Sequence, residues 1–178
     1  MSSIATRTGD DGSTSLLFGR RVTKFALNVE AYGAVDEFTS ALGLARATTK
    51  DPWVRETILA LQKDLVAVMG ELAVAEEDWP RYLQSKIPKV EPAMLERLDQ
   101  AVADLEGKKL EFNGWAIPGA THHAAALDVA RAVGRRAERR VVQLQSEGKI
   151  SHELVLKILN RSSDMLWLMA RLEENSSK

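Results

Sequence analysis

From Asn28 onward the apolar residues recur every three to four positions rather than alternating, and the pattern holds almost to Glu173. That spacing lays apolar side chains along one stripe of an α-helix, whereas a strand needs a period of two. A first helix is predicted from about Asn28 to Thr48, closing before Lys50-Asp51-Pro52 because proline disfavours helical backbone in the residue ahead of it. A second, from about Trp53 to Ala75, carries the stripe Val54, Ile58, Leu61, Leu65, Val68 and Leu72. The segment Glu76 to Val90, holding Pro80 and Pro88, reads as a connection. Pro92 suits the first turn of a third helix that Gly107 ends after Glu106. Thr121 caps the longest helix, to about Glu147 with Gly148 as its stop, and Ser151 caps a fifth, to about Glu173. The expected fold is all-α, a five-helix bundle behind an N-terminal loop.

Two stretches depart from this pattern. Thr6-Arg7-Thr8-Gly9-Asp10-Asp11-Gly12-Ser13-Thr14-Ser15 gathers small hydroxyls, glycines and an arginine, with Arg20, Arg21 and Lys24 a little downstream. Hydroxyl and amide donors beside cations suit a polyphosphate, although the spacing is not that of a P-loop and no buried strand precedes it. The same residue types dominate ordinary turns, so a polar terminal loop is the alternative. The second stretch, Phe112 to Thr121, is unusually apolar for a loop, with Trp115, Ile117 and the run Pro118-Gly119-Ala120.

Composition narrows the chemistry. With 178 residues the chain is expected to form one domain, and a formal net charge of −1 gives no global field for nucleic acid or a membrane. Any anion site must be local. Absence of cysteine removes disulfides, thiolate metal sites and a catalytic thiol, and is compatible with a reducing cytoplasm, the expected location. No apolar run reaches membrane-spanning length. His122 and His123 are adjacent, not three or four apart, and no Glu-x-x-His occurs, which argues against a di-iron bundle. No Gly-x-Ser-x-Gly elbow is present to suggest a nucleophile and base.

The longest helix concentrates charge: Asp128, Arg131, Arg135 and Glu138 share one face, and Arg136, Arg139 and Arg140 accompany them. Guanidinium groups bind phosphate or carboxylate through paired hydrogen bonds. So many small apolar residues surround Arg131 and Arg135 that both are expected to lie beside packed side chains and to need partners. Asp36, between Ala34, Val35 and Phe38, is one candidate, joining two helices or two subunits; exposure beside Glu37 is the alternative. Asn160 and Asp164 share a face of the last helix, where an asparagine could read an adenine edge or a sugar hydroxyl, or cap a neighbouring helix.

Taken in order, Thr-Arg-Thr-Gly-Asp-Asp-Gly, Val-Glu-Ala-Tyr-Gly-Ala-Val-Asp-Glu (29–37), Pro-Gly-Ala (118–120), Arg-Arg-Ala-Glu-Arg-Arg-Val-Val (135–142) and Leu-Asn-Arg-Ser-Ser-Asp (159–164) resemble the ATP:cob(I)alamin adenosyltransferases of the propanediol-utilisation type. The resemblance spans nearly the whole chain. It implies a homotrimer with ATP and corrinoid held at subunit interfaces, usually with magnesium, and partners that include a flavoprotein reductase and an adenosylcobalamin-dependent acceptor enzyme. It further implies that Thr6, Arg7, Thr8, Gly9, Thr14, Ser15 and Lys24 hold the triphosphate, and that Arg135, Arg136, Glu138 and Arg139 complete the nucleotide site with Asn160. Arg131 and Asp36 match an intersubunit ion pair important for the corrinoid. Trp115 stands where the family usually has phenylalanine, as the wedge that keeps the lower ligand off cobalt. Ala120 replaces a glycine, and His122-His123 replace smaller residues. A non-catalytic cobalamin and ATP sensor or delivery chaperone on the same fold is the alternative function.

Overall fold

The computed structural model describes residues 5, 7–108, 110, 114–148 and 151–175. A short antiparallel ribbon, β1 (Ser13–Ser15) with β2 (Arg21–Thr23), precedes the helices, Thr14 pairing with Val22. The helices are α1 (Leu27–Thr48), α2 (Pro52–Leu72), α3 (Trp79–Gln84), α4 (Pro92–Glu106), α5 (His122–Glu147) and α6 (Glu153–Asn175). The five long ones are those the apolar period predicts.

Their ends follow the local chemistry. The Asp51 carboxylate accepts from the backbone N–H groups of Trp53 and Val54 at 2.8 and 3.2 Å, with Pro52 in the first turn. The Thr121 hydroxyl accepts from Ala124 N at 3.0 Å. Such caps satisfy amide groups that have no partner within the helix. Ser151 is not the cap expected for α6: the helix begins at Glu153, and its first turn closes with Leu156 N donating to His152 O.

α2 stops at Leu72, three residues short of Ala75, because its last carbonyls are taken from outside the helix. Asn28 Nδ2 donates to Leu72 O at 2.8 Å, and Leu17 N donates to Ala73 O at 2.9 Å. The connection after α2 is also more ordered than expected. It forms a 3-10 turn (Glu76–Asp78) and then α3, in which Pro80 sits in the first turn, where no intrahelical amide bond is lost. Tyr82 of α3 is buried with its hydroxyl donating to Pro88 O at 3.3 Å; burial, with Glu71 nearby, pushes its pKa up to about 12.

In cross-section the helices follow the order α2, α1, α5, α6, α4, and α4 meets α2 to close the bundle. Arg97 of α4 grips both carboxylate oxygens of Asp64 of α2 at 2.7 and 2.9 Å. The core runs through Phe38, Leu42, Ile58, Leu61, Leu127, Val141, Ile158 and Leu166, all fully buried. α5 is central and buries mostly small residues, so its neighbours approach closely. Gly134 marks the tightest point: a Cβ there would stand 2.9 Å from the buried Phe38 ring. Gly134→Ala is therefore expected to destabilise the protein by about 1–2 kcal/mol, overpacking at the ring outweighing the helix-propensity gain of about 1 kcal/mol. A thermal or urea melt checks this, and an unchanged or raised midpoint would contradict it. No helix among the described residues is long and apolar enough to cross a membrane.

Candidate functional site

The N-terminal segment folds into a polar hairpin held by its own charged groups. Ser13 donates to Asp11 Oδ1 from both its amide (2.9 Å) and its hydroxyl (2.6 Å). These bonds, with Arg21 nearby, hold the Asp11 carboxyl below its ordinary pKa, so the turn they fix is lost only as pH falls through that lowered value. Arg21 spans the ribbon, donating to Thr8 O at 2.7 Å, to Ser15 Oγ at 3.4 Å and to Ser13 Oγ. Thr14 lies on the opposite face of its strand from Ser13 and Ser15. The backbone reverses through positive φ at Arg7 (58°) and Gly12 (80°), and Lys24 N donates to Gly12 O at 2.9 Å. A Cβ on Gly9 would come within 3.2 Å of Lys24 Cε and Nζ and of Ser13 O, so glycine lets the ammonium lie against this turn without a shift. Arg7, Thr8, Gly9, Thr14, Ser15 and Lys24 are thus brought together on one exposed hairpin; Thr6 lies outside the described residues.

One end of the hairpin is tied to the bundle. Arg20 donates to Asp78 Oδ2 at 3.1 Å, with Glu77 at 3.8 Å, and Arg81 lies 4.4 Å from the centre of the Phe18 ring. An open groove of about 390 Å³ has Leu16, Arg20 and Val22 on one wall and Leu144, Glu147 and Gly148 on the other, which sets the hairpin beside the C-terminal end of α5.

Midway along α5 stand the other predicted residues. Arg135 and Arg139 are exposed and make no ion pair among the described residues, so the expectation that Arg135 lies among packed side chains is not met. It projects from the side of α5 opposite the buried Ala130, Ala137 and Val141. Glu138 accepts from Asn160 Nδ2 of α6 at 3.1 Å, which joins two of the predicted nucleotide residues. Arg136 turns to α1 and pairs with Glu37, as Arg140 does with Glu30 at 3.5 Å. Neither glutamate was expected in this role; acidic residues on α1 spaced to meet α5 arginines were the available signal.

Asp36 and Arg131 do not pair within the chain. Asp36 is exposed on α1, because the buried stripe runs through Ala31, Ala34, Val35, Phe38 and Leu42 and leaves position 36 on its flank. Arg131 instead donates through Nε to Asp128 Oδ1 of its own helix at 3.1 Å. Asp128 is buried, and its second oxygen accepts from Arg171 Nη2 of α6 at 2.7 Å. Arg171 was missed from the sequence.

The N-terminal end of α5 carries the aromatic loop. Trp115 is 96% exposed and Ile117 is exposed too, between Gly114 (φ 73°) and Gly119 (φ 115°). Phe112 and Asn113 lie outside the described residues. Ala120 and His122 are exposed, whereas His123 Nδ1 is buried with no hydrogen-bond partner. Between α4 and α6 a cavity of about 690 Å³ opens, where Val102, Leu105, Leu110, Trp167 and Leu168 share the wall with the charged Asp99, Glu106, Arg161 and Asp164. No group of three or more His, Asp or Glu among the described residues is arranged to hold a metal ion.

A bundle whose central helix carries bare arginines between a hydroxyl-rich hairpin and an exposed tryptophan matches one family: the profile of the cobalamin adenosyltransferases covers residues 4–173, and the chain belongs to that family. Among its relatives is the corrinoid adenosyltransferase PduO of Citrobacter freundii, 38% identical over 174 residues, 98% of this chain and 50% of that protein. The corrinoid adenosyltransferase of Bacillus subtilis is 37% identical over 174 residues, 95% of this chain and 85% of that protein. The chain thus spans about half the length of the PduO relatives it matches. A variant of the PduO-type ATP:corrinoid adenosyltransferase from Lactobacillus reuteri, complexed with cobalamin and ATP, superposes with a TM-score of 0.85 at 30% identity, covering 98% of this chain and 95% of that one.

Proposed function

We propose that the protein transfers the 5′-deoxyadenosyl group of ATP to the cobalt of a reduced corrinoid, on sites completed between the subunits of a homotrimer. The cobalt(I) electron pair forms a bond to the 5′ carbon of ATP, the bond from that carbon to oxygen breaks, and triphosphate leaves. Cobalt is the nucleophile, so the protein needs no general base. Its work is to align two substrates and to neutralise the leaving group. Arg7, Thr8, Gly9, Thr14, Ser15 and Lys24 supply backbone, hydroxyl and ammonium donors for the triphosphate, joined by Arg135 and Arg139. Glu138 and Asn160, already hydrogen-bonded to each other, face the nucleoside. Magnesium fits as an ion carried by the phosphates: loop hydroxyls and Asp10 can add oxygen, but no protein cage is present among the described residues. Trp115, presented almost wholly to solvent, covers the lower face of cobalt.

The observation that carries the intersubunit arrangement is the length of α5. Its 26 residues separate the hairpin at one end from the tryptophan loop at the other by about 39 Å, further than an extended ATP can reach. A neighbouring protomer supplies the missing half. Phe25, next to Lys24, is 79% exposed, so a large aromatic is presented at the hairpin as Trp115 is at the loop, as surfaces meant for a partner are.

Subunit mixing tests this. Lys24→Ala and Arg135→Ala homotrimers are each expected to be nearly inactive. If the hairpin of one subunit serves the α5 of the next, trimers reassembled from equal amounts contain intact sites at about one interface in four, and regain about a quarter of wild-type activity. Correctly sized mixed trimers with no regained activity would sink the intersubunit arrangement.

A further inference from the structure

The feature left over from the site is the buried charge cluster at the junction of α5 and α6. Asp128 is 4% exposed and Arg171 2%, joined at 2.7 Å, in a chain whose other ion pairs lie mostly at the surface. Arg171 also faces Glu174, Nη2 donating to Oε1 at 3.1 Å, and its guanidinium lies 5.6 Å from the centre of the Trp167 ring. Taking these charges out of water is costly, and well-packed apolar residues often serve stability equally well. A retained buried pair therefore invites the question of what it positions.

On α5 its partly open neighbour is Arg131, 27% exposed against 19% for Glu174 of α6, with Nε held by Asp128 Oδ1 at 3.1 Å. A guanidinium gripped at Nε has a fixed plane, and its two Nη groups extend away from the grip as a fork. Arg171 occupies the second carboxylate oxygen, so Asp128 cannot rotate to capture that fork. We propose that Arg171 and Asp128 are positioning residues: they clamp Arg131 so that its free Nη pair faces out of the subunit, toward the exposed Asp36 of the next subunit, at the corrinoid end of the site. This rests on the intersubunit reading above. Asp36 is free to take that part, exposed and without an ion pair among the described residues. The cluster also lies at the right end of the bundle, near the start of α5 and the end of α6, beside the Trp167 that walls the cavity.

The test is the double variant Asp128→Asn/Arg171→Met, which removes both fully buried charges together and leaves unpaired only the partly exposed Arg131 and Glu174, and so preserves folding better than either single change. The expected result is a rise of about tenfold or more in KM for cob(I)alamin, the scale of a lost charge-assisted hydrogen bond. The KM for ATP should stay within about twofold, and the fraction of four-coordinate cobalt(II) seen by paramagnetic resonance should fall. A lowered melting temperature with both KM values and the resonance spectrum unchanged would reduce the cluster to a structural role and overturn the proposal. Should the double variant not fold, Arg171→Lys decides. It keeps the charge but not the geometry, and its corrinoid KM must rise selectively. Asp36→Asn is measured alongside. If it leaves corrinoid KM unchanged, the intersubunit pairing itself fails. If it raises that KM while the Asp128 and Arg171 variants do not, only the clamp fails.

Discussion

Arg135→Ala is expected to lower kcat/KM by on the order of 2–4 kcal/mol, roughly thirtyfold to a thousandfold, the loss that follows removal of a cation facing charge that develops as triphosphate departs. The structure makes this a clean measurement. Arg135 is exposed and makes no ion pair among the described residues, so its removal strands no buried group. Arginine and alanine are both good helix formers, so α5 should remain intact. The melting temperature should stay within a degree or two while the rate collapses. Kinetics within twofold of wild type would take Arg135 out of the site. Lysine at this position should recover only part of the loss, because an ammonium lacks the planar fork that grips two phosphate oxygens at once.

Trp115→Ala carries the second large effect. The indole is almost wholly in solvent in the isolated chain, so its loss should change folding by no more than about 0.5 kcal/mol. In the proposed role its contribution arises only when a corrinoid lies on it. Covering an aromatic of this size removes on the order of 200 Å² from water, worth up to about 5 kcal/mol at 25 cal/mol/Å². A loss of at least tenfold in kcat/KM for the corrinoid is expected, together with disappearance of the four-coordinate cobalt(II) signal as water or the lower base returns. An unaltered signal would refute the wedge. Wild-type protein that binds both ligands yet never forms a cobalt–carbon bond would favour the sensor or delivery role instead.

Which parts could be read from sequence follows from where local chemistry decides structure. The five long helices were legible because Pro52, Pro92, Gly107, Thr121 and Gly148 punctuate an uninterrupted apolar period. The ribbon was not, since Ser13–Ser15 is three polar residues with no alternation to detect and is held by Arg21 and Asp11 rather than by burial. α3 was hidden by Pro80, which reads as a breaker but lies in the helix's first turn. The hairpin residues could be singled out because they form a nearly contiguous run, whereas the contact between Glu138 and Asn160, which lie on different helices, was not foreseen. Arg171 was not: one arginine near the end of an amphipathic helix looks solvated, and only the unexplained Asp128 among alanines hinted at a distant cation. The Asp36–Arg131 pair fails within one chain for a plain geometric reason. Both helices turn their small and aromatic residues toward each other and leave these two charges on the flanks.

The attachment of the hairpin has a consequence for how the protein breathes. A two-stranded ribbon is at best marginally stable alone, and among the described residues this one is held by the buried Leu16, a backbone bond from Leu17 to Ala73, a surface pair between Arg20 and Asp78, and a cation over Phe18. Such a unit detaches with far less free energy than the helices need to melt, so its amides should exchange with solvent long before those of α5. A nucleotide that fastens it would have to supply the ordering energy, and its apparent affinity would be the intrinsic one multiplied by the fraction of time the ribbon is docked.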